Sequence, residues 1–265
     1  AMLVPTVVGG WNDDGLGDLV RFGAANADVV CGINLQPVSF VGRMADADRR
    51  ARRVTVSDVV DRIAADTDGA VPREAWFPLP ALRALTDVVS AWTGGGLYGV
   101  AGTFSAWLVT VVLVEDDKIV PITEVVDVQG LLADLREAVA SVDGDLADAG
   151  RLDRLRVARR LSDGVTDLLA GCCGADGVAG ALAGAFTGGF DGLADRFDRV
   201  LPVGIKQFQD PYNYDLDRLA DADVHYAMPD GETVPFSVYN VVPERYRDRA
   251  KRAHAVSVEE WLERD

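Results

Sequence analysis

The sequence predicts an α/β protein that opens on a β-α-β unit and continues into an α+β region. Three observations carry that prediction. A short apolar run, Leu3-Val4-Pro5-Thr6-Val7-Val8, is followed by apolar residues at three-to-four spacing and then by a second β-type run. β-Branched runs recur on both sides of turn residues at 106–125 and 224–238. Helical periodicity returns between and after these runs.

The first strand covers residues 3–8 and ends at Gly9-Gly10. Asn12-Asp13-Asp14 form a loop suited to cap the next helix. Leu16, Leu19, Val20 and Ala24 mark one face of that helix, and Asn26-Ala27 close it. Val29 to Phe40 is the second strand. Strand, helix and strand within so short a span imply parallel strands and a right-handed crossover. Parallel sheets need both faces covered, so two strands do not stand alone. Either another chain supplies more strands or later segments do.

Arg43 to Arg53 is a charged loop, and Thr55 or Ser57 caps a helix from Asp58 to Ala65. Phe77 to Pro80 is extended, Ala81 to Trp92 is helical, and Thr93-Gly94-Gly95-Gly96 is a joint. Ala106 to Val114 and Lys118 to Val125 form a hairpin around Glu115-Asp116-Asp117. Helices are predicted over Gln129–Val142 and Leu152–Ala170, and the Gly- and Ala-rich stretch from Gly171 to Gly189 is weakly specified. Pro202 to Phe208 is a strand. Val224 to Met228 and Thr233 to Val238 flank the turn Pro229-Asp230-Gly231-Glu232. Pro243 to Ala253 is a helix, and Ser257-Val258-Glu259-Glu260 opens another with a capping-box pattern.

Composition narrows the function classes. The chain has 265 residues and a net charge of −16, with 33 Asp, nine Glu and only three lysines. An Asp-rich, Lys-poor surface suits a cytoplasm held at molar salt, where screening acts within about 3 Å. Nucleic acid is excluded as a partner, because its binding draws on cationic contacts to phosphate. No apolar run is long enough to span a bilayer, and no signal peptide precedes Leu3, so a cytoplasmic location is expected. Cys31 stands alone and Cys172-Cys173 are adjacent, which reads as small apolar fillers in a reducing compartment. No Ser-His-Asp arrangement suggests itself with only His225 and His254 available, and no phosphate-binding loop is present.

Two long motifs stand near the ends of the chain. The first is Thr6-Val7-Val8-Gly9-Gly10-Trp11-Asn12-Asp13-Asp14, continued by Gly32-Ile33-Asn34-Leu35-Gln36-Pro37-Val38-Ser39-Phe40. The second is Asp210-Pro211-Tyr212-Asn213-Tyr214-Asp215, followed by His225-Tyr226-Ala227-Met228-Pro229-Asp230-Gly231. Together they resemble the second half of archaeal radical S-adenosylmethionine (SAM) proteins related to tetraether lipid synthase. Trp76-Phe77-Pro78-Leu79-Pro80 and Ile119-Val120-Pro121-Ile122-Thr123 echo further blocks of those proteins. With the acidic composition, the resemblance implies a haloarchaeal source.

The resemblance implies the end of a partial (β/α) barrel over 1–92. A hairpin-plus-helix module over 93–142, a helical segment over 143–200 and a C-terminal hairpin and helix module over 201–265 complete the division. It implies a cluster loop upstream of Ala1, with SAM bound near a [4Fe–4S] cluster. Where the relatives carry further cluster cysteines, this sequence has Ala81, Ala101, Ala222 or Asp223, and Ser237. Family histidines appear as Tyr98 and Gln207. Clusters need several thiolates, so no iron–sulfur cluster is expected here. The protein is then a split or degenerate member that does not catalyse alone, completed by a separate chain and acting on lipid-like substrates. The alternatives are a metal-free protein that binds a ligand or partner, and a nonfunctional remnant.

The candidate cofactor-binding residues are Gly9, Gly10, Asn12, Asp13, Asn34 and Gln36. The glycines permit close approach of backbone to ligand. Asn12-Asp13 either line a SAM pocket or cap the helix. Asn34 and Gln36 alternate with Ile33 and Leu35, so both amides face one side and need partners from a ligand or from neighbouring strands. His225 reads as a ligand or as a structural residue beside Tyr226. The Arg43–Arg53 cluster reads as an anion site or a solvated loop. The Asp210–Asp215 loop reads as a channel lining or as packing.

Overall fold

The computed structural model describes residues 1–41, 45–82, 107–115, 118–125, 127–140, 199–220, 222 and 224–263. The predicted first strand is broken into β1 (Met2–Leu3) and β2 (Thr6–Val7), and α1 (Leu16–Ala25) leads to β3 (Gly32–Pro37). Met2 pairs with Gly32 and Thr6 with Gln36, so a single parallel register runs through both pieces. Pro5 lies at the break, where its missing N–H removes a ladder donor. Its carbonyl still accepts the Gln36 N–H at 3.0 Å. The β-α-β unit therefore forms as the periodicity predicts, but its helix cap does not. The N-cap is Gly15 at φ 80°, with no side-chain cap, because Asn12 and Asp13 turn to other partners.

Next come α2 (Asp46–Arg52) and α3 (Val56–Asp66). Thr55 begins α3 with a complete capping box: its Oγ1 accepts from the Asp58 N–H at 3.2 Å and Asp58 Oδ2 accepts from the Thr55 N–H at 2.8 Å. The chain continues through β4 (Phe77–Pro78), a 3₁₀ turn at Leu79–Leu82, β5 (Trp107–Glu115) and β6 (Lys118–Pro121). After these come α4 (Ile122–Val125), α5 (Val128–Ala140), β7 (Arg199–Lys206), α6 (Leu216–Ala220), β8 (His225–Ala227), β9 (Thr233–Pro235), α7 (Phe236–Val241), α8 (Arg247–His254) and α9 (Val258–Leu262).

Several boundaries move. The strand predicted over Lys118–Val125 stops at Pro121 and becomes α4, and the strand predicted to Val238 stops at Pro235 and becomes α7. In both cases proline ends the ladder, and its fixed φ suits the entry to the helix directly after it. The helix predicted from Pro243 starts at Arg247. The predicted helix beyond residue 82, the joint at 93–96, the helix at 152–170, the stretch at 171–189 and Cys172-Cys173 lie outside the described residues.

Later segments supply the strands that β1–β3 need. β7 pairs parallel with β3, setting Ile33 opposite Val203 and Leu35 opposite Ile205. β5 runs antiparallel to β7 from Trp107–Lys206 to Val114–Arg199, and also pairs with β4 and β6. Among the described residues the order is β1/β2, β3, β7, β5 and then β4 or β6. α1 and α3 cover one face. Leu16, Val20, Val59, Val60 and Ile63 close on Ile33, Leu35, Leu201, Val203, Ile205 and Val112 in a single apolar core. On the other face, Leu113 packs with Val111, Val120, Val125 and Val200.

A buried acid locks the carboxyl end of the two central strands. Asp210 is 0% exposed. Its Oδ2 accepts the Phe40 N–H at 3.1 Å and the Arg53 Nη1 at 3.1 Å, and its Oδ1 accepts the Tyr212 N–H at 2.8 Å. Asn213 closes the loop from the other side, accepting the Asp210 N–H at 2.5 Å and donating to the Phe208 carbonyl at 3.0 Å. Arg49 and Arg53 lie over the Tyr212 ring at 4.0 and 5.6 Å. The Asp210–Asp215 motif is thus a packing element.

The β8–β9 hairpin is a separate small unit, with Met228, Val234, Val238 and Ala250 at its centre. Arg249 bridges Asp230 at 2.9 Å and Glu232 at 2.6 Å. The Glu232 N–H holds the Asp230 carboxyl below its ordinary value of 3.8; desolvation opposes it, and Arg249 adds to the lowering.

Asp210→Ala orphans two backbone N–H groups and one guanidinium, and should cost about 3 kcal/mol in a denaturant melt. A loss within about 0.5 kcal/mol, as at an ordinary surface site, would show that the lock is not structural. For Asp230 the folded value is the lower one, so its contribution is present above pH 3.8 and is lost as pH falls through the folded value. Asp230→Asn should flatten that acid limb of a stability–pH curve.

Candidate functional site

The face of the sheet away from α1 and α3 carries the polar residues. Strand alternation sends Ile33, Leu35, Val203, Ile205, Val112 and Val114 into the helix-covered core. The alternate positions, Asn34, Gln36, Gly204, Lys206, Trp107 and Val109, point the other way. Register places Asn34 beside Gly204 and Gly204 beside Val109, with Lys206 opposite Trp107.

Asn34 is the centre of this face. Its Oδ1 is buried and has no hydrogen-bond partner among the described residues. Gly204 lies next to it, with room for no more than a methyl group. A Cβ at Gly204 would lie 3.4 Å from Trp107 Nε1, 3.7 Å from Asn34 Oδ1 and 3.8 Å from Val109 Cγ1. Lys206 Nζ lies 4.2 Å from the centre of the Trp107 ring and 5.4 Å from that of Phe208. The aromatic series continues outward: Phe208 to Phe236 at 6.3 Å, Phe236 stacked on Tyr226 at 5.7 Å, and Tyr226 to Tyr239 at 4.4 Å.

The loop after β2 lies at the carboxyl end of the same parallel strands, where ligands of open α/β sheets bind. Its own polar atoms are engaged. Asn12 Oδ1 accepts the Val8 N–H at 2.8 Å and its Nδ2 donates to the Thr6 carbonyl at 2.9 Å. Asp13 is 4% exposed, accepts the Gly10 N–H at 2.6 Å and pairs with Arg62. Gly9 donates to the Arg52 carbonyl at 2.9 Å, and a Cβ there would meet that oxygen at 3.0 Å. Gly10 takes φ 69°. Gly9 admits the chain's own Arg52 backbone, and Gly10 lies against the Arg52 guanidinium. The six candidate residues therefore form two groups: Gly9, Gly10, Asn12 and Asp13 shape a closed loop, and Asn34 and Gln36 lie on the polar sheet face.

Other charged features are internally satisfied. Arg52 donates to the Gly9 carbonyl at 3.2 Å and covers the exposed Trp11 ring at 4.8 Å. Arg218 donates to the Gln207 carbonyl at 2.8 Å, and burial lowers its pKa, with Asp215 opposing. At the opposite end of the strands, a cavity of about 400 Å³ is lined by Arg21 and Arg199. Those guanidiniums bind the carbonyls of Asp66 and Ala25 at the ends of α3 and α1, the second at 2.5 Å. They neutralise helix C-termini.

At the positions where the resemblance implies auxiliary-cluster cysteines, the sequence offers no thiolate. Ala81 and Ala222 end in a methyl group, and Ser237 in the first turn of α7 ends in a hydroxyl. His225 is exposed on β8, and Cys31 is exposed and alone among the described cysteines. Ala101, Tyr98 and Asp223 lie outside the described residues. Among the described residues, no three His, Cys, Asp or Glu side chains gather to hold a metal ion.

No protein-family model matches the chain. Among curated proteins it is similar to 7,8-dihydro-6-hydroxymethylpterin dimethyltransferase of Methanocaldococcus jannaschii, at 29% identity over 263 residues. The relation is to a radical-SAM enzyme. The alignment takes in 98% of this chain and 51% of the relative, so the chain spans about half the length of the relative it matches. The relative's name gives a pterin, and the match carries no support for tetraether lipid synthesis. The mixed α/β sheet with parallel strands agrees with the fold that the resemblance implies. No helix among the described residues is long and apolar enough to cross a membrane.

Trp107, Gly204 and Lys206 belong to none of the sequence motifs. The alternation in β7, with Leu201, Val203 and Ile205 against Pro202, Gly204 and Lys206, holds the signal for two of them. Asn34→Leu should raise stability by about 1 kcal/mol, because it removes an unsatisfied buried oxygen at similar volume. Destabilisation of that size in a denaturant melt would mean that Asn34 has a structural partner.

Proposed function

We propose that this chain forms the ligand-facing part of a radical-SAM-type protein, and that the sheet face opposite α1 and α3 binds a small polar molecule. The observation that carries this is the buried, unpartnered Asn34 Oδ1 on a face also bearing Gln36, Lys206 and Trp107. A buried acceptor without a partner costs about 1–3 kcal/mol, and a ligand N–H would remove that cost. The substrate in the relative's name supports a pterin. A lipid-like substrate has no comparable support, and a face carrying two amides and a lysine suits a polar ring better.

SAM, when bound, supplies the group or radical that a radical-SAM protein uses. In this reading Asn34 and Gln36 orient a bound molecule through their amides. The closed loop of Gly9, Gly10, Asn12 and Asp13 shapes the rim of the site. The donor positions described above do not fit a cluster, so radical chemistry needs a cluster-bearing segment from outside these residues, in the same protein or in a partner chain. A salt-rich cytoplasm is the setting that the acidic composition supports.

Anaerobic reconstitution of the 265-residue chain with iron and sulfide tests the metal side. The expected product is colourless and leaves SAM intact. A brown protein that releases 5′-deoxyadenosine would overturn the metal-free reading. Calorimetric titration with 6-hydroxymethylpterin and with SAM tests the ligand side. Binding of at least one is expected, and binding of neither would sink it.

A further inference from the structure

We infer that α8 and α9 form a self-complementary docking surface through which two copies of this chain pair about a two-fold axis. This goes beyond the ligand-binding reading above and does not depend on it.

Helix α9 has five residues, and none of them is buried. Every residue from Lys251 to Glu263 is exposed. A helix this short does not hold in water on propensity alone. The capping box at Ser257 satisfies only its first turn. Its apolar residues fall on one face: Val258, Trp261 and Leu262 stand at i, i+3 and i+4 and are 71%, 65% and 69% exposed. Glu259, Glu260 and Glu263 take the opposite side. A bare apolar stripe centred on a tryptophan is the form that an anchor takes in a protein–protein contact. The acidic side decides against a lipid surface, whose anionic head groups call for lysine and arginine there.

The charges beside the stripe point to a second copy. On α8, Arg247 pairs with Asp248, and Arg249 pairs with Asp230 and Glu232. Lys251 and Arg252, further along the same helix, have no carboxylate partner among the described residues, and Glu259 and Glu263 have no cation. One short segment thus carries a basic end of α8 and then an acidic, apolar helix, and within the chain the two sets do not pair. A two-fold axis makes every contact between α9 and the partner's α8 twice. Antiparallel packing of the two α9 helices brings the apolar stripes together and sets the acids of each copy beside the basic end of α8 in the other. A contact of this size is at the small end for a stable interface, so the dimer should dissociate on dilution.

Sedimentation of the full chain in molar potassium chloride tests the apolar contact. The expected mass is twice 28.3 kDa at high concentration, falling to that of one chain on dilution. Trp261 is exposed, so Trp261→Glu leaves the core unaltered, and it should weaken pairing by about tenfold or more. Charge reversal tests the geometry, at the lowest salt that keeps the chain folded by circular dichroism. Lys251→Glu with Arg252→Glu makes both helices acidic, and Glu259→Lys with Glu263→Lys makes both basic. Each of these variants should pair poorly with itself, and an equimolar mixture of the two should pair as the unaltered chain does. A chain that stays single at every concentration overturns the proposal. So does pairing that Trp261→Glu leaves unchanged, or a mixture that pairs no better than its components.

Discussion

The carboxyl end of the sheet depends on one fully buried carboxylate. Asp210 reaches the backbone beyond β3 at Phe40, its own loop at Tyr212, and the guanidinium of Arg53 between α2 and α3. The first of these contacts spans 170 residues of sequence. Removing a carboxylate from water is costly, and the cost is offset only when its oxygens are filled with donors of good geometry. All three segments must therefore arrive together. Once they do, β3 and β7 are fixed side by side at the end where the polar face opens, and the Gly9 loop is fixed with them through the Arg52 carbonyl next to Arg53.

That lock explains how one sheet presents two unlike faces. The helix-covered side collects its stability from apolar burial, with Leu35, Val59, Ile63, Leu201 and Ile205 at or near zero exposure. The opposite side can then carry Asn34, Gly204 and Lys206 without contributing to the core. Glycine in a strand weakens the ladder locally, and an orphaned amide oxygen is a further cost. Neither is tolerable in a strand pair held only by its own hydrogen bonds. Flanking order from Asp210 on one side and the α1–α3 layer on the other makes both sustainable.

The parts legible in the sequence are those set by local chemistry. The helix face of Leu16, Leu19, Val20 and Ala24, the cap at Thr55 or Ser57, the Ser257 capping box, and the turn at Asp230-Gly231 each rest on residues within a few positions of one another. The placement of Asn34 and Gln36 on one side of β3 comes from period two alone. The parts that are not legible depend on contacts across long separations. Nothing near Ile33 announces Val203 as its neighbour, and Trp107 meets Lys206 only because β5 and β7 pair antiparallel. The Gly9–Asp13 segment reads as a loop from its residue types, but its polar atoms close on Arg52 and Arg62, which arrive from the next two helices, α2 and α3. A helix N-terminus at Leu16 without a side-chain cap is the counterpart of that choice: Asp13 cannot both cap α1 and neutralise Arg62.

The contrast between missing thiolates and a polar sheet face separates two kinds of site. A cluster site is all-or-none, because an alanine at a ligand position leaves an iron without a donor and no neighbour compensates. A hydrogen-bonding face is graded, since each polar atom contributes by itself and the rigid strands around it supply the geometry. Asn34, Gly204 and Trp107 sit on three paired strands, so their relative positions are set before any ligand arrives, and little freedom is lost on binding.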